Sequence, residues 1–93
     1  PKIDSRCYID DLSVVIGVVT LAENVSVLPF EVIRADVNHI KIGRYSNVQD
    51  HCILHVSHKN DAKPNGSTEL IGEDVTIGHH GTLHGCTIGN RVL

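Results

Sequence analysis

The chain has very few aromatic side chains. Two tyrosines and one phenylalanine make up 3% of its 93 residues, and tryptophan and methionine are missing altogether. A compact globule usually draws much of its core from large rings. Here the core has to come from Val, Ile and Leu, which favours a regular stack of thin layers. Excess positive charge is absent too: eight Lys and Arg stand against eleven Asp and Glu, for a net charge of -3. That leaves no basic field for nucleic acid or an anionic membrane surface. No stretch approaches the roughly 20 apolar residues of a membrane span, and no signal-peptide pattern opens the sequence. Three cysteines, Cys7, Cys52 and Cys86, cannot all pair within one chain. Their spacing fits neither a disulfide framework nor a zinc ribbon, so they read as small buried residues in a reducing cytoplasm. Pro1 is an unusual natural start and Leu93 stops within a repeat, as expected of a piece of a longer protein.

What the sequence does have is a period. Aliphatic residues fall six apart at Ile9, Val15, Leu21, Val27 and Ile33, then at Ile42, Val48 and Leu54, then at Ile71, Ile77 and Leu83, with Ile88 one residue early. Small or aliphatic residues recur four places after many of these, among them Val19, Val25, Val37, Ser46, Cys52 and Val75. A helix needs a period near 3.6 and an ordinary strand a period of 2. Six suits a short strand plus a two-residue corner. Three such units close a triangular coil, and successive coils pair as parallel strands about 4.8 Å apart. The expected fold is an all-β hexapeptide β-helix, one domain over 1–93. Three interruptions mark it: three extra residues between Ile33 and Ile42, an inserted loop at about 57–69, and the short step from Leu83 to Ile88. Loops of that length inside a compact domain tend to be functional.

The period also sets a register. With insertions treated as bulges at corners, Ile42 begins face one, Val48 face two and Leu54 face three. Ile71, Ile77 and Leu83 repeat the cycle, and Ile33 falls on face three. The residue after each face-three aliphatic points outward, so Arg34, His55 and His84 share one outer column. Two imidazoles one coil apart can reach a single metal through bonds of about 2.0–2.1 Å. His79 lies on face two, above Asp50, too far round to join its own chain's pair. A head-to-tail ring in which face two meets face three closes as a trimer and would bring His79 to a neighbour's His55 and His84, one site per interface. A lone outward histidine is usually just solvated, and His39, His51 and His58 are read that way. His80 adjoins a ligand candidate.

The run Ile33-Arg34-Ala35-Asp36, then Ser46-Asn47-Val48-Gln49-Asp50, Leu54-His55, Gly78-His79 and Leu83-His84-Gly85 resembles the γ-class carbonic anhydrases. It is especially similar to the short bacterial carbonic-anhydrase-like proteins of that group. The resemblance implies a left-handed β-helix homotrimer with Zn2+, or Fe2+ or Co2+, between subunits. His55 and His84 of one chain and His79 of the next would be the ligands. It also implies an interface ion pair between Arg34 and Asp50, Gln49 facing the reacting water, and Asn47 and Asp36 completing the hydrogen bonds. The chain departs from the pattern at Val37, where well-known members carry a glutamate, and in its Lys-, Asn- and Pro-rich loop, where they carry an acidic one. The C-terminal helix of the family is absent from this sequence.

Three functions are open at this point. The first is reversible hydration of CO2 to bicarbonate, with His58, His80, Glu69 or buffer carrying the proton. The second is a trimeric metal-binding scaffold with little catalysis. The third, a hexapeptide-repeat acyltransferase using coenzyme A, needs only one histidine base, and three in ligand positions exceed that need.

Overall fold

The computed structural model describes residues 1–56 and 68–93, without the side chain of Val37. Its elements are strands: β1 (Lys2–Ile3), β2 (Tyr8–Ile9), β3 (Val14–Leu21), β4 (Ser26–Val27), β5 (Val32–Ile42), β6 (Asn47–Val48), β7 (Ile53–His55), β8 (Glu69–Ile71), β9 (Thr76–Ile77), β10 (Thr82–His84) and β11 (Thr87–Ile88). All pairings are parallel, and the chain winds as a solenoid of about four turns. This is consistent with the left-handed β-helix that the resemblance implies. Among the described residues no helix is long and apolar enough to cross a membrane.

The three faces follow the six-residue reading. Strands β2, β4, β6 and β9 form a separate sheet that stacks Ile9, Val27, Val48 and Ile77. This is face two. On face three, Val15 pairs with Ile33, Ile33 with Leu54, and Leu54 with Leu83. On face one, Ile3, Leu21, Ile42, Ile71 and Ile88 form the column. Faces three and one share a sheet because β3 and β5 each run round the corner between them. The first half of β5 pairs with β7 and its second half with β8.

Each corner has its own chemistry. Between faces one and two the chain bends at Asn24, Tyr45, Asp74 and Arg91, and between faces two and three at Phe30, His51 and His80, all with φ between 54° and 62°. Left-handed backbone is costly for most side chains and least so for Asn, Asp and His, which explains part of this choice. The third corner absorbs the irregularities. The register slips between Gly17 and Val18, so that Ala35 pairs with Gly17 and His39 with Val18, leaving residues 36–38 as a bulge. These are the three extra residues between Ile33 and Ile42, and Gly85, at φ 54°, takes up the short step before Ile88.

The core is an aliphatic rod. Val25, Val27, Ile33, Ile40, Val48, Leu54 and Val75 are fully buried. Burying each such side chain contributes roughly 1.5–3 kcal/mol. The ion-pair ladder Arg6–Glu23–Arg44–Glu73 on the outside, with contacts of 3.0, 4.0 and 3.3 Å, is exposed and worth about 1 kcal/mol or less per pair. Aliphatic stacking therefore decides stability. Ser46 fits the rod because its hydroxyl donates to the Gly72 carbonyl at 2.8 Å and accepts from the Val75 amide at 3.0 Å. Cys52 fits by donating to the Gly78 carbonyl at 2.9 Å.

The loop expected at about 57–69 falls outside the described residues as far as residue 67, and His58 with it. Glu69 is a correction. It is not an exposed loop residue but the first residue of β8, and it is fully buried.

Candidate metal centre

Parallel pairing builds an outer column on face three from Ile16, Arg34, His55 and His84. It arises because each residue follows an inward aliphatic, and successive side chains of a strand point to opposite faces. The rings of His55 and His84 lie with centroids 5.4 Å apart, tilted by 41°. His55 is half-buried and His84 exposed.

The 36–38 bulge swings Asp36 over this column. Its Oδ1 lies 3.0 Å from His55 Nε2, and its Oδ2 lies 3.3 Å from Arg34 Nε. The Arg34 guanidinium also comes within 3.1 Å of His55 Nε2. A carboxylate can only accept, so the imidazole proton on Nε2 faces Asp36 and the arginine sits alongside. The hydrogen bond from His55 above all, with the Arg34 charge helping, holds the Asp36 carboxyl below its ordinary value against the opposing effect of desolvation. Within one chain Arg34 thus pairs with Asp36, not with Asp50.

The remaining candidates stand on face two and its corner. Gln49 Nε2 donates to Asn47 Oδ1 at 2.8 Å, and Asn47 Nδ2 donates to Thr76 Oγ1 at 3.2 Å. Asp50 lies beyond them at the corner, where its carbonyl accepts the His80 amide at 3.0 Å. His79 precedes His80 there and is exposed. One chain therefore carries two half-sets: Arg34, Asp36, His55 and His84 on face three, and Asn47, Gln49, Asp50 and His79 at face two. Among the described residues no group of three or more His, Cys, Asp or Glu is placed to hold a metal ion.

Neutral imidazoles suit zinc, iron and cobalt alike. The His55–His84 pair, one coil apart, is compatible with two ligands of a three-histidine set, and no third candidate joins it among the described residues. Beside this, Phe30, His51 and His80 stack at centroid separations of 5.0 Å each. The solvated reading of His51 holds as to exposure, but the ring is one rung of a ladder. Sequence reasoning also passed over Glu31, which is fully buried with both carboxyl oxygens unpartnered. Its signal was its place four residues after Val27.

No family profile matches the chain. Protein YrdA of Escherichia coli K12 is 56% identical over 93 residues, all of this chain and 50% of that protein. A probable carbonic anhydrase of Methanocaldococcus jannaschii is 43% identical over 81 residues, 87% of this chain and 46% of that one. The mitochondrial gamma carbonic anhydrase 1 of Arabidopsis thaliana is 36% identical over the whole chain and 34% of its own length. The chain spans about half the length, or less, of the curated relatives it matches. The shared repeats, the histidine column and these relatives support a γ-carbonic-anhydrase-like family for the chain.

Proposed function

We propose that this chain forms a head-to-tail homotrimer that hydrates CO2 reversibly to bicarbonate at its subunit interfaces. His55 and His84 of one subunit and His79 of the next would hold a divalent cation, with zinc the first choice and iron or cobalt the alternatives. The observation that carries the proposal is the in-register pairing of His55 with His84, opposite in kind to the second half-set on face two. Relatives named as carbonic anhydrases support it. So does the apolar outer surface of face three, where Val14, Ile16 and Ile53 are exposed. Patches of that kind mark association surfaces.

Bound there, a divalent cation would supply a water acidified to near neutrality as the nucleophile. The chain's own residues have the remaining tasks. Asp36 takes the hydrogen bond of His55 and so orients that ring, the usual work of a carboxylate behind a histidine ligand. Arg34 holds Asp36 in place and offers its free guanidinium edge to Asp50 of the neighbour or to the product anion. Gln49, steadied by Asn47, would orient the nucleophile through its amide.

Removing one ligand tests this. The His84→Ala variant should retain no metal by elemental analysis and hydrate CO2 at the buffer rate in stopped flow. Hydration that survives the substitution would refute the site. One observation favours a second reading, a metal-holding scaffold without appreciable turnover. Glu69, a candidate proton carrier, is sealed in the core and has no access to solvent. Fully metallated trimer with background hydration would decide for that reading. The free thiols Cys7, Cys52 and Cys86 support a reducing, cytoplasmic location.

A further inference from the structure

Two carboxyl groups are enclosed by the solenoid in slots where the repeat elsewhere places aliphatic or small residues. Glu31 follows Val27 by four residues, the slot that Val19, Val25, Cys52 and Val75 fill in other hexads. Glu69 pairs with Ile40, which pairs in turn with Val19. Both glutamates are 0% exposed. Both oxygens of Glu31 and Oε2 of Glu69 lack a hydrogen-bond partner, and no ion pair among the described residues includes either. The Leu28 amide, which donates to the Val48 carbonyl at 3.2 Å, offsets the effect of burial on Glu31 only in part. Cys86 Sγ lies 3.8 Å from the other oxygen of Glu69.

Their positions tie them to the outer column. The Glu31 carbonyl accepts from Val14 and the Cys52 carbonyl accepts from Val32. Glu31 and Cys52 thus occupy equivalent places, each three residues before a member of the column, Arg34 and His55. Glu69 meets Cys86, two residues beyond His84. The titratable groups that face Glu31 among the described residues are Cys52 and Asp50, and the one that faces Glu69 is Cys86. None is a cation.

We propose that Glu31 and Glu69 make the solenoid pH-responsive: protonated, they let the coils close over them, and ionised, they loosen the coils that carry Arg34, His55 and His84. Burial drives both acids upward, Glu31 to about 9 with the Asp50 charge adding to the effect, and Glu69 to about 8. An unfolded chain releases these protons near the usual glutamate value of about 4.3. The folded state is therefore the better proton binder. The stability that this contributes is fully present below pH ~4 and is lost as pH rises through 8 to 9. Over that interval the folded-to-unfolded ratio falls by up to about tenfold per pH unit for each acid.

Unfolding midpoints of the chain, followed by circular dichroism between pH 6 and 10, test the proposal together with Glu31→Gln, Glu69→Gln and the double variant. The wild-type midpoint should fall across this range, each single variant should fall less steeply, and the double variant should be nearly flat up to pH ~8, above which the buried thiols Cys52 and Cys86, also held up by burial, begin to contribute. Backbone amides of residues 53–55 and 82–84, corrected for intrinsic base catalysis, should exchange faster at pH 9 than at pH 7 in the wild type alone. A flat wild-type profile, or a double variant as steep as the wild type, overturns the proposal. Should the Gln variants fail to fold, Glu31→Val and Glu69→Leu, which restore the aliphatic slots, serve the same comparison. The readout is folding, so it is independent of whether the histidines bind metal.

Discussion

Gly17 shows how much one residue without a side chain can hold in place. It has φ +86°, and a Cβ built on it would lie 2.2 Å from the Ala35 carbonyl oxygen, a backbone atom with no room to retreat. It sits where the register of β3 against β5 slips, so its close approach to Ala35 is what permits the 36–38 bulge and sets Asp36 over His55. Gly17→Ala should cost at least about 2 kcal/mol from backbone strain alone, read as a lower denaturation midpoint, and should weaken metal retention through Asp36. An unchanged midpoint would show that the corner can relax. The sequence located the extra residues between Ile33 and Ile42 but not their placement, because a spacing counts residues without saying which of them leaves the ladder. Arg34, His55 and His84 were legible for the opposite reason: each follows an inward aliphatic, and alternation along a strand fixes its direction. Glu31 and Glu69 were hidden because a charged residue is rarely expected in a core slot, although the period assigns them there.

At the scale of the element, the strands are too short to stand by themselves. Several have two residues and others three, and a strand of that length is stable only through the coils above and below it. The period predicted the stacking partners correctly on all three faces, since each hexad offers one large aliphatic to a column. It did not predict that β3 and β5 run unbroken round a corner, because nothing in a six-residue count separates a bend from a break. Leu54 tests this dependence on stacking. It lies between Ile33 and Leu83 in the face-three column and is fully buried. Leu54→Ala should cost about 2–5 kcal/mol, the range for emptying a packed core site. Arg44→Ala removes the centre of the Glu23–Arg44–Glu73 ladder and should cost less than about 1 kcal/mol. Urea titrations of both variants would compare column and ladder directly, and equal losses would contradict the priority given to aliphatic stacking.

At the scale of the whole molecule, the proposal has the two half-sets on one chain become a chemical site where copies meet. In the proposed ring, face three of each subunit supplies His55 and His84 while face two of its neighbour supplies His79, and every interface is the same. This arrangement makes a prediction that no single-chain site shares. Subunits carrying His79→Ala and subunits carrying His84→Ala should each retain little metal when assembled alone. Dissociated, mixed in equal amounts and reassembled, they should recover metal, because an interface that takes its pair from a His79→Ala subunit and its third ligand from a His84→Ala subunit has all three imidazoles. Random mixing around a cyclic ring produces that arrangement at about one interface in four. Metal content of the remixed trimer, measured after gel filtration, should therefore rise to about a quarter of the wild-type value. CO2 hydration should rise with it if the metal is catalytic. Recovery of metal without hydration would keep the shared site and favour the scaffold reading, whereas no recovery from well-formed trimers would place the third ligand on the same chain as the first two.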